Sequence, residues 1–214
     1  MTEEVQLLTD VIDMAKEPEE RGYHSERYQK TLAALEARIS TAYMNAENDA
    51  RAVPSHPRDE EAINVVIQRR LFLGAIWIYF MRMARHLSGV STIVTSILGD
   101  VFDDKVMGLS ALKRGNLPFA LFVLGIEATT EVRRRQVLDL IDRVTGTAKE
   151  LVHGLHSDLI LSMSPSTLIQ VTDMLKTAWA FDDLHVGNDA ERHLDYRHKL
   201  HLVFTASEVL PALV

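Results

Sequence analysis

Residues 116–135 read NLPFALFVLGIEATTEVRRR: an apolar run that opens at Pro118, closes on the single carboxylate of Glu127 and gives way to three arginines. Pro118 suits the first turn of a helix, where its missing amide hydrogen would have had no partner. Gly125 permits a neighbour to approach closely. The run is apolar on every face, so it reads as a helix buried on all sides. A carboxylate at the end of such a helix is costly if buried alone. Glu127 must therefore reach solvent, cap a turn or meet a cation. Arg133 and Arg134 are the nearest candidates for a structural ion pair. A general acid would need a second polar group beside it, so no catalytic residue is assigned.

Downstream, Thr130 to about Val144 reads as an amphipathic helix, followed by helices over Ala148–Leu161 and Pro165–Phe181 and a helical tail from Ala190 to about Leu210. Upstream, apolar residues at three- and four-residue spacing predict helices over Glu3–Lys16 and Ser25–Asn48. A third starts at Pro57 and runs to about Leu87, with Gly89 ending it. Ser91–Asp104 is rich in β-branched residues but lacks a partner strand, so it is read as helix; Asp103–Asn116 is a short helix with loops. The expected fold is an all-α, single-domain bundle of antiparallel helices spanning residues 1–214.

With 214 residues the chain can bury a substantial core. Six prolines and ten glycines leave few tight turns, which favours long helices over a many-stranded sheet. A net charge of -7 argues against direct contact with nucleic acid. The absence of cysteine excludes disulfides, thiolate zinc clusters and a cysteine nucleophile. The most lipid-like stretch, Leu71–Met81, falls short of the roughly 18 residues a membrane span needs. It is expected to be a core helix of a soluble bundle.

Candidate chemistry is sparse. Asp103-Asp104 and Asp182-Asp183 would suit magnesium held against a diphosphate in a helical lyase or cyclase, but neither pair has a third acid four residues on. His153/His156 and His198/His201 could each share a helical face, yet no H-E-x-x-H arrangement accompanies them. Neither metal nor cofactor is expected. Arg133, Arg134 and Arg135 are read as a solvated face shared with Glu131 and Asp139. Trp77, Tyr79, Phe80, Phe119, Phe122 and Trp179 are candidates to line an apolar pocket.

Taken in order, these features resemble the fungal-specific transcription factor domain, the regulatory region that follows the zinc binuclear cluster in many fungal regulators. The most recognisable piece is Leu117 to Ala128, similar to the family's Pro-Leu-Phe-x-x-Gly-x-Glu-Ala segment before arginines. EVQLLTDVIDMA, TLAALEARIS, Ala75–Phe80, Ala178-Trp179 and Leu194–Arg197 resemble its other helices in the same order. Ile126 replaces the usual cysteine and Tyr196 the usual tryptophan, and the cysteine-rich DNA-binding cluster is absent from this chain. The resemblance implies a non-enzymatic, nuclear regulatory domain, either a C-terminal fragment of a longer regulator or a relative that has lost its DNA-binding part. It further implies a small effector, with a sterol-like apolar molecule conceivable, and a co-regulator or the transcription machinery as partner. The helical lyase or cyclase and a purely structural dimerisation module are the alternative classes, and a homodimer is the assembly expected of the regulatory domain.

Overall fold

In a computed structural model, residues 2–52, 60–87, 91–102, 117–154, 165–185 and 196–206 are described, without the side chains of 60–61, 146–154, 165–166 and 185. Eight helices and no strands occur among them: α1 Glu3–Met14, α2 Glu26–Ala52, α3 Glu60–Met83, α4 Thr92–Val101, α5 Leu117–Ile126, α6 Glu131–Gly154, α7 Pro165–His185 and α8 Tyr196–Ala206. The all-α fold expected from the periodicity is what forms. Pro57, Gly89, Asp103, Asp104 and His156 lie outside the described residues.

Ion pairs and ring contacts give the helix directions. Glu36 pairs with Arg85 and Glu47 with Arg70, so α2 runs antiparallel to α3. Asp10 pairs with Arg38, and the Tyr28 hydroxyl donates to the Met14 carbonyl at 2.6 Å, so α1 is antiparallel to α2. Along α5, Phe119 lies edge-on to Phe72 and Tyr79, and Glu127 pairs with Arg82, so α5 runs parallel to α3. The Arg134–Asp183 pair sets α6 against α7, and α8 returns along α5 through Lys199 near Ile126 and Phe204 on Phe122. Successive helices reverse, and the C-terminal ends of α1, α3, α5 and α7 gather at one end of the bundle.

Helix α3 is the hub and packs against α1, α2, α4, α5 and α8. Its Ala62–Met83 stretch is apolar and long enough to cross a membrane, which corrects the shorter estimate made from Leu71–Met81. Most of that surface is buried inside the protein, and Arg70 within it pairs with Glu47 and donates to the Asp100 carbonyl at the end of α4. The helix ends sooner than expected, in a turn where His86 takes a left-handed φ of 53° and the Leu87 amide returns to the Met81 carbonyl.

Helix α6 also departs from expectation. It continues through Gly146 to Gly154 as one element, where two helices were read. An interior glycine costs a helix only about 1 kcal/mol relative to alanine, which the surrounding turns can offset. Thr130 caps its start, with its hydroxyl oxygen accepting from the Arg133 amide at 3.3 Å.

All ten residues of α5 are buried. Its glycine is required by proximity: a Cβ at Gly125 would lie 2.6 Å from both methyl carbons of Leu175, itself fully buried on α7. Gly125→Ala is expected to destabilise the fold by about 1–3 kcal/mol in denaturant titrations. Adding Leu175→Ala should recover part of the loss, because the two changes share one contact.

Candidate functional site

The site is the C-terminal end of α5. The last carbonyls of any helix lack intrahelical partners, and here they end inside the protein. Three other helices supply what they need. The Trp179 indole N–H of α7 donates to the Gly125 carbonyl at 2.9 Å. The Lys199 ammonium of α8 faces the Ile126 carbonyl at 3.4 Å and the Asp182 carboxylate at 2.8 Å. Arg134 of α6 donates to the Ala128 carbonyl at 3.2 Å, holds Asp183 through two bonds of 2.8 and 2.9 Å, and lies over the Trp179 ring. Leu175, Trp179, Asp182 and Asp183 fall at helical spacing, so one stripe of α7 carries the whole contact.

The partner of Glu127 is Arg82 on α3. Nε meets Oε1 and Nη2 meets Oε2, each at 2.8 Å, with the side chains only 7% and 9% exposed. Arg82 also donates to the Leu87 carbonyl at 2.6 Å and lies over the Tyr196 ring. This corrects the expectation that Arg133 or Arg134 would serve. Arg134 is turned toward Asp183, and Arg133 lies over the Phe102 ring. A local reading favoured arginines within seven residues; the true partner lies 45 residues away. Of the three neighbouring arginines, only Arg135 sits on a freely solvated face, paired with Glu131.

Tyr196 seals the junction. Its ring is buried and its hydroxyl has no hydrogen-bond partner among the described residues. Burial, reinforced by the Glu127 charge, holds that phenol far above its ordinary range. Arg197, beside it, reaches the carbonyls of Met83 and Lys16 and the Glu17 carboxylate. The junction thus joins the ends of α1, α3, α5 and α7 to the starts of α6 and α8.

Other candidates separate in space. Phe80, Phe119, Phe122 and Trp179 are buried, while Trp77 and Tyr79 are partly so. Tyr79 touches Phe119, Phe122 stacks on Phe204, and Trp77 meets Tyr43. Asp182 and Asp183 are both taken by cations, so the second half of the suggested magnesium site is occupied by internal pairs. His198 and His201 are exposed on the outer side of α8. Sequence reasoning missed Arg82 and Lys199; the available signal was a cation at the end of an apolar run, matching an acid at the end of another.

Residues 2–157, most of the chain, match the family model of the fungal specific transcription factor domain. The chain belongs to this family. No curated protein sequence and no solved structure matches it. Membership in a fungal transcription factor domain family gives the chain a role in transcription regulation and points to a regulator rather than an enzyme. The matched span ends before α7 and α8, which complete the junction around Glu127.

Removing one member of a buried pair leaves the other charge uncompensated. Arg82→Met should therefore cost about 3–5 kcal/mol in unfolding free energy, and Arg82→Met/Glu127→Leu should cost less than that single change. Arg135→Ala, on the exposed face, should stay within about 0.5 kcal/mol.

The tyrosines make an alkaline prediction. Tyr196 titrates well above its unfolded value of about 10, and burial pushes Tyr43 up as well, followed by the nearby Asp100 and Glu47 charges. Their contribution is intact below about pH 10 and is lost as pH rises toward the folded values, because only the unfolded chain ionises there. Denaturant midpoints measured between pH 9 and 11.5 should fall, and Tyr196→Phe should flatten that fall by the equivalent of one proton.

Proposed function

We propose that this chain is the regulatory module of a fungal transcription factor, and that an effector or partner protein sets its output by favouring one packing of its helices. The family match carries the reading. The junction at Glu127 supports the mechanism, because paired charges and buried carbonyls fit in one arrangement and are costly in any intermediate one. The module works in the nucleus through a co-regulator or the transcription machinery. Its charge of -7 is consistent with leaving DNA contact to another part of the regulator. Self-association as a homodimer belongs to the same proposal.

An apolar, sterol-like effector is the finer reading. It is supported by the aromatic seam of Tyr79, Phe119 and Phe72 between α3 and α5, and by the Phe122–Phe204 stack between α5 and α8. The unpartnered Tyr196 hydroxyl would offer a hydrogen bond to the one oxygen of such a molecule.

The chain joined to an unrelated DNA-binding module should shift a reporter away from the level of that module alone, and Arg82→Met should change the shift. A folded chain that leaves the reporter unmoved would remove the transcriptional reading. The effector is tested separately, by mass spectrometry of co-purified lipid and by thermal shifts across a sterol panel. Silence in both would remove it and leave the partner-driven version.

A further inference from the structure

Helix α8 has eleven residues, too few to hold a helix by itself in water. It is kept in place by two features. Its first turn carries Tyr196, Arg197 and Lys199, and its later turns carry Leu200, Val203 and Phe204 on the inner side. The polar groups that its two cations engage are all acceptors. Arg197 and Lys199 donate to the carbonyls of Lys16, Met83 and Ile126 and pair with the carboxylates of Glu17 and Asp182. Toward these groups the helix is the donor and the groove the acceptor, while the Arg82 guanidinium, neutralised by Glu127, faces the Tyr196 ring. The groove is electronegative because the C-terminal ends of α1, α3, α5 and α7 converge there, each with the negative end of its dipole. An acidic helix would be repelled from it; a basic one is attracted before contact.

We propose that the groove between α3, α5 and α7 is a docking site for a basic amphipathic helix of a partner protein, with α8 as its resident intramolecular occupant. The partner helix carries two cations in its first turn and an apolar stripe behind them, the chemistry α8 displays. Exchange uncovers Phe122 and the Arg82–Glu127 pair, so occupancy of the groove is communicated to α3 and α5. The inference concerns binding alone and stands whether or not a reporter responds.

The probe is a fluorescein-labelled peptide of residues 196–206, YRHKLHLVFTA, added to the full chain. Resident α8 competes with it, so the peptide should bind a full-length Leu200→Ala chain about tenfold or more tightly than the unchanged chain. Binding should weaken with added salt and vanish when the peptide carries Arg197→Glu and Lys199→Glu. Absence of binding to a folded Leu200→Ala chain overturns the proposal. Dimerisation of that chain by mutual exchange of α8, seen in sedimentation, also overturns it, since a second copy would then be the occupant. Hydrogen exchange on the unchanged chain decides the matter if the variant fails to fold. Amides of α8 should exchange about a hundredfold or more faster than those of α3, whereas equal rates would mean that α8 leaves only when the whole protein unfolds.

Discussion

Four helices that end at the same place create the problem the rest of the structure solves. In an up-and-down bundle alternate helices share a direction, so α1, α3, α5 and α7 bring their orphan carbonyls and negative dipole ends together. At the surface, water would satisfy them. Here α5 is buried along its whole length, and water is replaced by Trp179, Lys199 and Arg134. Each comes from a different helix. Cations at the starts of α6 and α8 would be unfavourable against their own helix dipoles, yet they reach across to the neighbouring C-terminal ends. The arrangement therefore couples the position of every one of these helices to the end of α5.

Farther along α3 the same logic recurs. Arg70, nearly fully buried, pairs with Glu47 of α2 and donates to the Asp100 carbonyl of α4, while Arg51 holds the other Glu47 oxygen at 2.9 Å. Gly74, one turn on, lets Val101 and Tyr43 approach closely. Two buried arginines twelve positions apart thus place α3 against separate neighbours: Arg70 sets α2 and α4, and Arg82 sets α5 and α8. A helix apolar enough to pass for a membrane span is given a register by the two buried charges among its described side chains. Apolar packing tolerates sliding by a turn; a bidentate guanidinium–carboxylate pair does not.

Much of the architecture was legible in advance because helical periodicity is local. The buried character of Leu117–Ile126, the proline at its start and the glycine in it all followed from their own residues. So did the need for Glu127 to find a cation. Which cation was not local information. Arg133 and Arg134 are a few residues away in sequence, but α6 turns away from α5 after Thr130, and its cap directs Arg134 onto α7. Arg82 closes the apolar run Leu71–Met81 much as Glu127 closes Leu117–Ile126, and pairing those two boundary charges would have identified it. Asp182 and Asp183 lack the third acid four residues on that a magnesium site would need. As adjacent acids after an apolar stretch they resembled metal ligands; in space they point to Lys199 and Arg134 as the outer end of the stripe that begins at Leu175. The break expected at Gly146 failed because one glycine's propensity is small against the continuity of a long helix.

The balance of terms at the junction bears on why a regulatory domain would keep it. A buried ion pair contributes little net stability, since the cost of removing both charges from water nearly offsets their attraction. An apolar pair of equal volume would hold the fold as well. What the charges add is discrimination: Glu127 with Arg82 and Asp182 with Lys199 match in one mutual placement of α3, α5, α7 and α8, and displacing one of these helices strands a buried charge. The apolar contacts around them, by contrast, degrade gradually. That asymmetry disfavours intermediate placements without deepening the native state. Glu127 then has a structural role: its pair with Arg82 fixes the end of α5 against α3 in one placement.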